Sequence, residues 1–436
     1  MKKKKVVEQE NNEHSYFYSL ELEMFNCFKD KQTLDLSDGK GTYSQWTIIL
    51  GDNGTGKTTL LRVLDRIQPY HDFLIKGSDN QKLLKIPIAT YDNYVKKGLL
   101  PETAKVKLSI FNNAEGIIPN TVSITDDAIK AYSLLISNVF LLSYGASRRM
   151  SKNQNISSKE INENKITSLF NDSIELINAE EWFLQKEWAS IKSEGLAKEK
   201  FETDFNKVKS ILIDILPDVS DIQSKPIDEN NSKPILEVQT SYGWVSLRNL
   251  SFGYQTLTAL IVDIASKMME QYPKSNNPLE EPVIILIDEI DLHLHPKWQR
   301  TVIDKLSQHF PKAQFIATSH SPLIVQAALD KKANIVVCRK EGDKVIIDNN
   351  PDEVKGWRID QILTSDLFEL SSSQSILFEE IRNEKTSILL KGELTDSDKQ
   401  RLDFINQKLS NSPVFSSKEA INAEELIKKA ADLLKK

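Results

Sequence analysis

The 436-residue chain has very little cysteine and no long apolar run. Its two cysteines, Cys27 and Cys338, lack the spacing of a metal site, and their scarcity suits a reducing cytoplasm and a fold without disulfide bonds. No stretch approaches the ~18–20 apolar residues that cross a bilayer. The longest candidates, such as residues 283–287, have the length of a strand. The sequence therefore predicts a cytoplasmic protein without a membrane span.

The chain also lacks an excess of positive charge. It has 56 Lys and Arg against 62 Asp and Glu, which gives a net charge of −6. That balance argues against a protein that grips nucleic acid over its whole surface, although it is compatible with a local basic groove. Residues 2–5 are lysines, but the following residues are polar and acidic, without the apolar segment of a signal peptide. The function therefore has to be sought in local motifs.

The most informative stretch, residues 51–61, fits the pattern G-x-x-x-x-G-K-[ST] without a mismatch. Residues 46–50 predict a buried strand before it, and residues 58–68 predict a helix that ends at Pro69. The glycines let successive N–H groups point at phosphate oxygens, and the helix start adds its positive dipole end. The residues predicted to bind the nucleotide are Gly51, Asn53, Gly54, Thr55, Gly56, Lys57, Thr58 and Thr59.

Four side chains have specific expected roles in phosphate chemistry. Lys57 would reach the β- and γ-phosphates of ATP, and the Thr58 hydroxyl would ligate Mg²⁺. Residues 283–287 predict a buried parallel strand that ends in Asp288 and Glu289, two carboxylates that would be costly to place there without cations. We predict that Asp288 holds Mg²⁺, in part through water, and that Glu289 polarises the attacking water.

Three of the histidines that follow this acidic pair bear on the site. Residues 314–317 predict a further buried strand, and because it follows the Asp288 strand through one helix, a βαβ connection places His320 at the same edge of the sheet. His293 and His295 are separated by one residue and lack a third ligand, which makes a poor zinc site. We interpret them as a turn into a helix that runs from residue 296 to residue 310.

A second anion site is predicted at the start of the helix after residue 251. Ser251 is a good N-cap residue, and Gly253 lies in the first turn of a helix with one apolar face. An ordinary capped helix that binds nothing is the alternative. Residues 250–255 resemble the LSGGQ signature of ABC ATPases, including Gln255, although Phe252 and Tyr254 depart from it.

Other segments predict architecture more than chemistry. Apolar and polar side chains alternate along residues 15–23 and 33–36, which predicts two antiparallel strands. Together with the strand before the glycine loop, these would form a curled sheet. Residues 138–142 predict a buried strand, and the loop after it either senses the γ-phosphate, couples to the next lobe or is a turn with solvated arginines. Residues 201–215 predict a helix with an apolar stripe, and residues 235–238 and 244–247 predict a hairpin. An aromatic cluster predicts the core of a helical lobe: Trp182, Phe183 and Trp188.

The order of glycine loop, signature-like helix start, Asp-Glu strand and histidine resembles ABC-type ATPases over residues 15–350. The form DEIDLHLHP is similar to the RecF, OLD and related bacterial ATPases. SYGASRR, the short helical lobe and GWRIDQIL resemble the PtuA-like ATPases of Septu and retron anti-phage systems, which act beside an HNH nuclease. The resemblance implies a P-loop NTPase fold of ABC type: a parallel core sheet with helices on both faces, an antiparallel β layer, an inserted helical lobe and a helical C-terminal tail.

The resemblance also implies how the site works. Lys57, Glu289 and the switch histidine His320 would be catalytic, with ATP and Mg²⁺ as ligands. Ser251, Gly253 and Gln255 would complete the pocket of the opposite subunit, so that ATP closes a head-to-tail homodimer. An aromatic residue of the antiparallel layer would touch adenine. The glutamine that ABC proteins place after the strand at 138–142 has no counterpart there, and nearby Gln154 stays unassigned.

We predict four parts of the chain. Residues 1–150 form a first ATPase lobe, 151–250 an inserted helical lobe and linker hairpin, and 251–350 the signature helix with the Asp-Glu strand and switch histidine. Residues 351–436 form a helical region that serves either packing or partner docking. Three functions stay open: an ATPase that controls a separate nuclease in phage defence, a DNA-repair ATPase that binds DNA itself, and a transporter subunit. The transporter is disfavoured by the missing glutamine loop, the signature departures and the long tail.

Overall fold

The computed structural model describes residues 14–67, 105–113, 116–125, 128–132, 139–151, 167–226, 234–349, 351, 359–365, 367–368, 376–391 and 394–410. The chain divides into two compact units, Met1–Ile362 and Leu363–Lys436. The four-part division expected from the sequence stays a prediction. None of the helices in the described ranges has the length and apolar character needed to cross a membrane.

The strands of the described residues are, in chain order, β1 (Ser15–Glu23), β2 (Gln32–Asp35), β3 (Trp46–Gly51), β4 (Lys105–Asn112), β5 (Gly116–Thr125), β6 (Ala128–Tyr132), β7 (Leu141–Tyr144), β8 (Asp221–Lys225), β9 (Ile235–Thr240), β10 (Gly243–Ser246), β11 (Val283–Ile287), β12 (Ala313–Thr318), β13 (Asn334–Glu341) and β14 (Lys344–Asp348). The helices are α1 (Lys57–Ile67), α2 (Ala179–Lys192), α3 (Gly195–Ile215), α4 (Phe252–Gln271), α5 (Pro296–Gln299), α6 (Val302–His309), α7 (Pro322–Asp330), α8 (Ile359–Leu363), α9 (Ile376–Leu389) and α10 (Asp396–Ser410), with 3₁₀ turns at Leu247–Asn249 and Pro278–Glu280.

The core sheet of the first unit has six strands in the order β14-β13-β3-β12-β11-β7. The five strands from β13 to β7 run parallel, and only β14 is antiparallel to its neighbour. All five residues of β11 are buried, as expected for a central strand covered on both faces. Because the strands are parallel, the residues that follow β3, β7, β11 and β12 meet at one edge of the sheet, where α/β folds bind ligands. The predicted fold class is confirmed.

A separate antiparallel sheet, ordered β2-β1-β4-β5-β6, packs beside the core sheet. Leu20 of β1 pairs with Leu34 of β2 and with Leu108 of β4, and all three side chains are fully buried. They share one hydrophobic cluster with Leu60 and Leu61 of α1. Burial of each such leucine contributes about 1.5–3 kcal/mol. The expectation that β3 joins this sheet was wrong, because β3 uses both of its edges to pair with β12 and β13.

The helical lobe consists of α2, α3 and the three-stranded sheet β10-β9-β8. The predicted helix ending before Pro217 and the predicted hairpin around Gly243 are both confirmed. Trp182 and Phe183 are buried as predicted, with ring centroids 5.1 Å apart. Trp188 was wrongly assigned to the core, since it is 64% exposed. Six residues beyond Trp182 on a helix, it projects from a different face.

Two further boundaries differ from the sequence prediction. The strand expected at residues 138–142 is β7, whose Leu141 and Tyr144 pair with Ile284 and Ile287 of β11. The single helix expected at residues 296–310 is two helices, α5 and α6. The break occurs at Thr301, whose φ of −117° leaves the helical range and whose N–H bonds to Trp298 O at 3.0 Å, three residues back.

The second unit contains α9 and α10. Their described side chains form a small hydrophobic cluster of Ile381, Ile388, Leu402 and Ile405. The apolar residues between 426 and 434 also predict a helix. That region lies outside the described residues, as do residues 356–358 of the GWRIDQIL segment and Gln154.

Candidate nucleotide site

A cleft of about 240 Å³ lies at the carboxyl edge of the core sheet. It brings together most of the predicted site residues, although they come from three separate parts of the chain. The turn after β1 contributes two more residues that the sequence analysis did not select. The lining residues are Asn26, Cys27, Asn53, Gly54, Gly56, Lys57, Thr58, Thr59, Asp288, Glu289 and His320.

The loop between β3 and α1 depends on glycine at two positions. Gly51 has a φ of +139°, and a Cβ there would lie 2.3 Å from Cys338 O of β13. Gly56 has a φ of +79°, and a Cβ there would lie 2.6 Å from Cys27 Sγ. Side chains are therefore excluded both by the backbone conformation and by the close packing of neighbouring elements. The loop is a bent strand-to-helix connection, which is the backbone geometry that a phosphate cradle needs.

Lys57 is buried, and its ammonium group is anchored by the loop itself. Its Nζ donates to Gly51 O at 2.7 Å and to Asp52 O at 2.8 Å. Burial lowers the pKa of Lys57 from its ordinary value, while the negative charges of Asp288 and Glu289 act in the opposite direction. The cation thus lies inside the cleft with two of its hydrogen bonds made to carbonyl groups, and it faces two carboxylates across the cleft.

Thr58 and Asp288 meet although 230 residues separate them in the sequence. The Thr58 hydroxyl donates to Asp288 Oδ2 at 2.8 Å, and the Thr318 hydroxyl donates to Asp288 Oδ1 at 2.6 Å. A hydroxyl and a carboxylate oxygen at this separation fit the oxygen ligands of Mg²⁺, which binds through one or two carboxylates together with substrate phosphates. Lys57 and Asp288 therefore lie on the same side of the sheet and can share one polyphosphate.

Glu289 occupies a strained backbone conformation. Its φ is +49°, in the left-handed region that residues with a side chain rarely adopt. Its N–H donates to Thr318 Oγ1 at 2.7 Å, and the N–H of Ile290 donates to Thr318 O at 3.0 Å. The end of β12 therefore holds the turn from one side. Strained residues persist only where their surroundings fix them, and such sites are often functional.

Arg148 fixes the same turn, and the sequence analysis did not select it as a site residue. Only 4% of the residue is exposed. Its guanidinium donates to the main-chain oxygens of Gly145, Asp288 and Glu289 at 3.1, 2.5 and 2.8 Å. Burial lowers its pKa to about 10, which still leaves it protonated at neutral pH. The interpretation of this loop as a turn with solvated arginines is wrong for Arg148 and holds for Arg149, which is exposed.

His320 lies at the open side of the cleft, directly after the residues that end β12. It is exposed, and its N–H donates to Asp291 Oδ1 at 3.3 Å. The turn after Glu289 therefore fixes the backbone of His320, and the residue lines the cleft. Its assignment as a switch histidine stays a prediction.

The signature-like residues do not line the cleft of their own chain. Ser251 occupies the N-cap position of α4, as predicted, but it is exposed and its side chain makes no capping hydrogen bond. The Gln255 amide donates to Arg248 O and Leu250 O at 2.9 and 2.8 Å. Gly253 is buried, and a Cβ there would lie 2.3 Å from His293 O. The start of α4 is thus packed on the turn that follows Glu289.

The residues of the antiparallel layer that line the cleft are Asn26 and Cys27, in the turn after β1. Asn26 has a φ of +53°, and Val345 N donates to Cys27 O at 3.0 Å. Phe28 is completely buried, and its ring lies close to Gly56. An aromatic contact to adenine stays a prediction.

The fold and the site define a P-loop ATPase domain of ABC type. The chain belongs to the family described as "AAA domain, putative AbiEii toxin, Type IV TA system", which matches residues 47–326. It is similar to the Septu protein PtuA of Bacillus mycoides (strain KBAB4), with 28% identity over 365 residues, or 84% of this chain and 46% of that protein. It is also similar to the Retron Vc95 probable ATPase of Vibrio cholerae serotype O1 biovar El Tor, with 48% identity over 92 residues, or 21% of this chain and 18% of that protein.

These comparisons confirm the resemblance to PtuA-like and retron ATPases. The chain covers less than half of the length of either relative. Among solved structures, it is similar to the SMC head domain from Thermotoga maritima, with 14% identity, a TM-score of 0.40 and coverage of 76% of this chain and 98% of that one. An SMC head bound to the C-terminal winged-helix domain of ScpA gives 16% identity, a TM-score of 0.43 and coverage of 76% and 97%.

Proposed function

We propose that this protein is a Mg²⁺-dependent ATPase whose ATP-driven head-to-tail dimerisation controls a separate effector. The observation that carries the proposal is the contact of 2.8 Å between the Thr58 hydroxyl and Asp288 Oδ2. It joins the glycine loop to the Asp-Glu strand end beside the Lys57 ammonium. Phosphoryl transfer to water needs positioning and charge neutralisation at one point, and these three side chains supply both.

Each side chain in the cleft has a proposed part in hydrolysis. Thr58 and Asp288 hold Mg²⁺, which when bound neutralises charge on the β- and γ-phosphates. Lys57 donates to the phosphate oxygens in place of its loop carbonyls. Glu289 orients a water molecule for in-line attack and accepts its proton. His320, at the open side of the cleft, donates to the γ-phosphate.

The opposite half of the nucleotide pocket comes from a second copy of the chain in this proposal. Ser251 and Gly253 stand at the start of α4, where the helix dipole and free N–H groups favour an anion. Ser251 is exposed, and Phe252 beside it is 44% exposed, so this surface is accessible in the single chain. A two-fold head-to-tail pair places each α4 start over the partner's ATP.

The ATPase assignment is tested by Lys57→Ala. Removing the buried ammonium leaves two loop carbonyls and the phosphates without their donor, so we expect ATP affinity to fall by about 100-fold or more. Calorimetric titration with ATP and measurement of phosphate release check this. Lys40→Ala, at an exposed lysine, is the matched control. Unchanged ATP affinity in Lys57→Ala would refute the loop assignment.

We further propose that the protein acts in the bacterial cytoplasm in an anti-phage system of the Septu or retron type, beside a separate HNH nuclease. The resemblance to PtuA-like ATPases supports this proposal. Nucleic acid would be bound directly or through the nuclease. The test is plating efficiency of phage on a host that carries the gene with its neighbouring reading frame. Protection should disappear with Lys57→Ala, whereas a neighbouring membrane-protein gene would favour a transporter instead.

A further inference from the structure

The Asp288–Glu289 turn is held between two side chains that lie outside the cleft. On one side, the Thr318 hydroxyl accepts from the N–H of Glu289 at 2.7 Å. On the other side, the Arg148 guanidinium donates to the carbonyl oxygens of Asp288 and Glu289 at 2.5 and 2.8 Å. The two peptide groups that flank Glu289 are therefore fastened at both their N–H and their C=O ends, since Ile290 N also donates to Thr318 O.

This arrangement matters because of the backbone conformation of Glu289. At a φ of +49° the residue is in a conformation that is unfavourable for any side chain larger than glycine's hydrogen. The direction of the Glu289 side chain depends on that conformation, since a return to negative φ would rotate its Cβ away from the present position. Without Arg148, the carbonyl of Asp288 would lose its guanidinium donor, and the carbonyl of Glu289 would keep only the N–H of Leu292 at 3.0 Å. The turn would then relax toward a conformation that satisfies the Asp288 carbonyl.

We propose that Arg148 is a positioning residue for ATP hydrolysis, which holds the Glu289 peptide in its left-handed conformation and so directs the Glu289 carboxylate into the cleft. The inference rests on the proposed ATPase function and gives Arg148 a specific task, which the resemblance of the SYGASRR segment did not assign. The guanidinium is suited to this task because its planar fork can donate to several fixed carbonyls at once.

The surroundings of Arg148 keep water from replacing it. The side chain borders a small apolar cavity together with Leu257 and Leu260 of α4 and Leu292 and Leu294 of the turn after Glu289. A lost donor is therefore not replaced by bulk solvent. Arg148 lies where the catalytic turn, β7 and the signature helix meet, and its neighbour Tyr144 donates from β7 to Asp263 Oδ2 of that helix at 2.8 Å.

The experiment compares Arg148→Met, which keeps length and loses every donor, with Arg148→Lys, which keeps charge but not the fork. We expect Arg148→Met to lower kcat about 100-fold, as a misplaced catalytic group does, and Arg148→Lys to lie between it and the wild type. The dissociation constant of a non-hydrolysable ATP analogue should be unchanged in both. Arg149→Met, at the exposed neighbour, is the matched control and should keep wild-type turnover.

A double-mutant cycle separates positioning from general stability. If Arg148 acts through Glu289, adding Arg148→Met to Glu289→Gln should cost almost nothing further. The inference would be overturned if the two substitutions lowered kcat independently, so that their fold-losses multiplied in the double mutant. Wild-type turnover in Arg148→Met would also overturn it, as would a loss of nucleotide affinity as large as the loss of kcat. If Arg148→Met fails to fold by its melting curve, Arg148→Lys carries the same test. The ATPase function itself would be overturned by a different result: the wild-type protein releasing no more phosphate than Lys57→Ala.

Discussion

The two halves of the proposed nucleotide site are built in opposite ways. The glycine-loop half is assembled from distant parts of one chain, with Thr58, Asp288 and Thr318 connected by hydrogen bonds of 2.8 and 2.6 Å. The signature half is local: the Gln255 amide bonds to residues five and seven positions earlier, and Ser251 is exposed. Folding of one chain is therefore enough to form the first half, whereas in the proposed dimer the second half would gain its ligand contacts when another copy docks.

The largest expected effect is on the assembled half, through Glu289→Gln. Loss of the general base should lower turnover by about 1000-fold, while Lys57 and Thr58 still bind ATP. The nucleotide-bound dimer should then persist in gel filtration with ATP. Glu280→Gln, at an exposed glutamate before β11, is the control, and the dimer of this variant should dissociate after turnover. If the Glu289→Gln protein eluted only as a monomer in ATP, the claim that the signature residues complete the site by dimerisation would be wrong.

A change in the exposed half should separate binding from turnover. Ser251→Arg places a long side chain on the surface that we expect to face the partner's ATP. The affinity of the monomer for ATP should be retained, while the ATP-dependent dimer disappears and turnover falls by about 100-fold. Light scattering during gel filtration and phosphate release measure the two quantities. Ser241→Arg, in the exposed turn between β9 and β10, controls for the added charge. An intact ATP-dependent dimer in Ser251→Arg would contradict the placement of Ser251 at the dimer interface.

The smallest expected effect concerns the metal. Thr58→Ala removes one oxygen ligand and the hydrogen bond to Asp288 Oδ2. The Mg²⁺ concentration for half-maximal turnover should rise about tenfold. Thr58→Ser retains the hydroxyl and should restore the wild-type value. Titration of Mg²⁺ at fixed ATP gives the result, and chelation with EDTA should abolish turnover in all three proteins. Equal Mg²⁺ dependence of the alanine and serine variants would remove Thr58 from the metal site.

The sequence was informative where chemistry follows from consecutive residues. The glycine loop, the Asp288–Glu289 pair and His320 each stand directly after a strand with a clear apolar pattern, and parallel strands bring their ends together. Arg148 and Thr318 were missed because each bonds to the Asp288–Glu289 turn, which is distant in the chain, and no local pattern specifies such contacts. The basic pair after β7 was a signal, but spacing alone could not tell a buried guanidinium from a solvated one.

Other errors have the same origin in tertiary packing. Ser251 has the residue type of a helix cap, yet its side chain is not used for one. Asn26 and Cys27 enter the cleft because a turn with left-handed residues brings them next to Gly56. The residue types of that turn do not predict a nucleotide pocket. Trp188 was misplaced because an aromatic cluster in sequence divides between two faces of a helix.

The close approach of Gly253 to His293 has a mechanical consequence. Their backbones are in direct contact, because a single carbon atom added to Gly253 would overlap His293 O at 2.3 Å. A movement of the segment after Glu289 toward α4 would therefore have to displace the start of that helix as well. In the proposed ATPase, a rearrangement at the γ-phosphate would reach the start of α4 through this backbone contact and through the rings of Phe252 and His293, whose centroids are 4.7 Å apart.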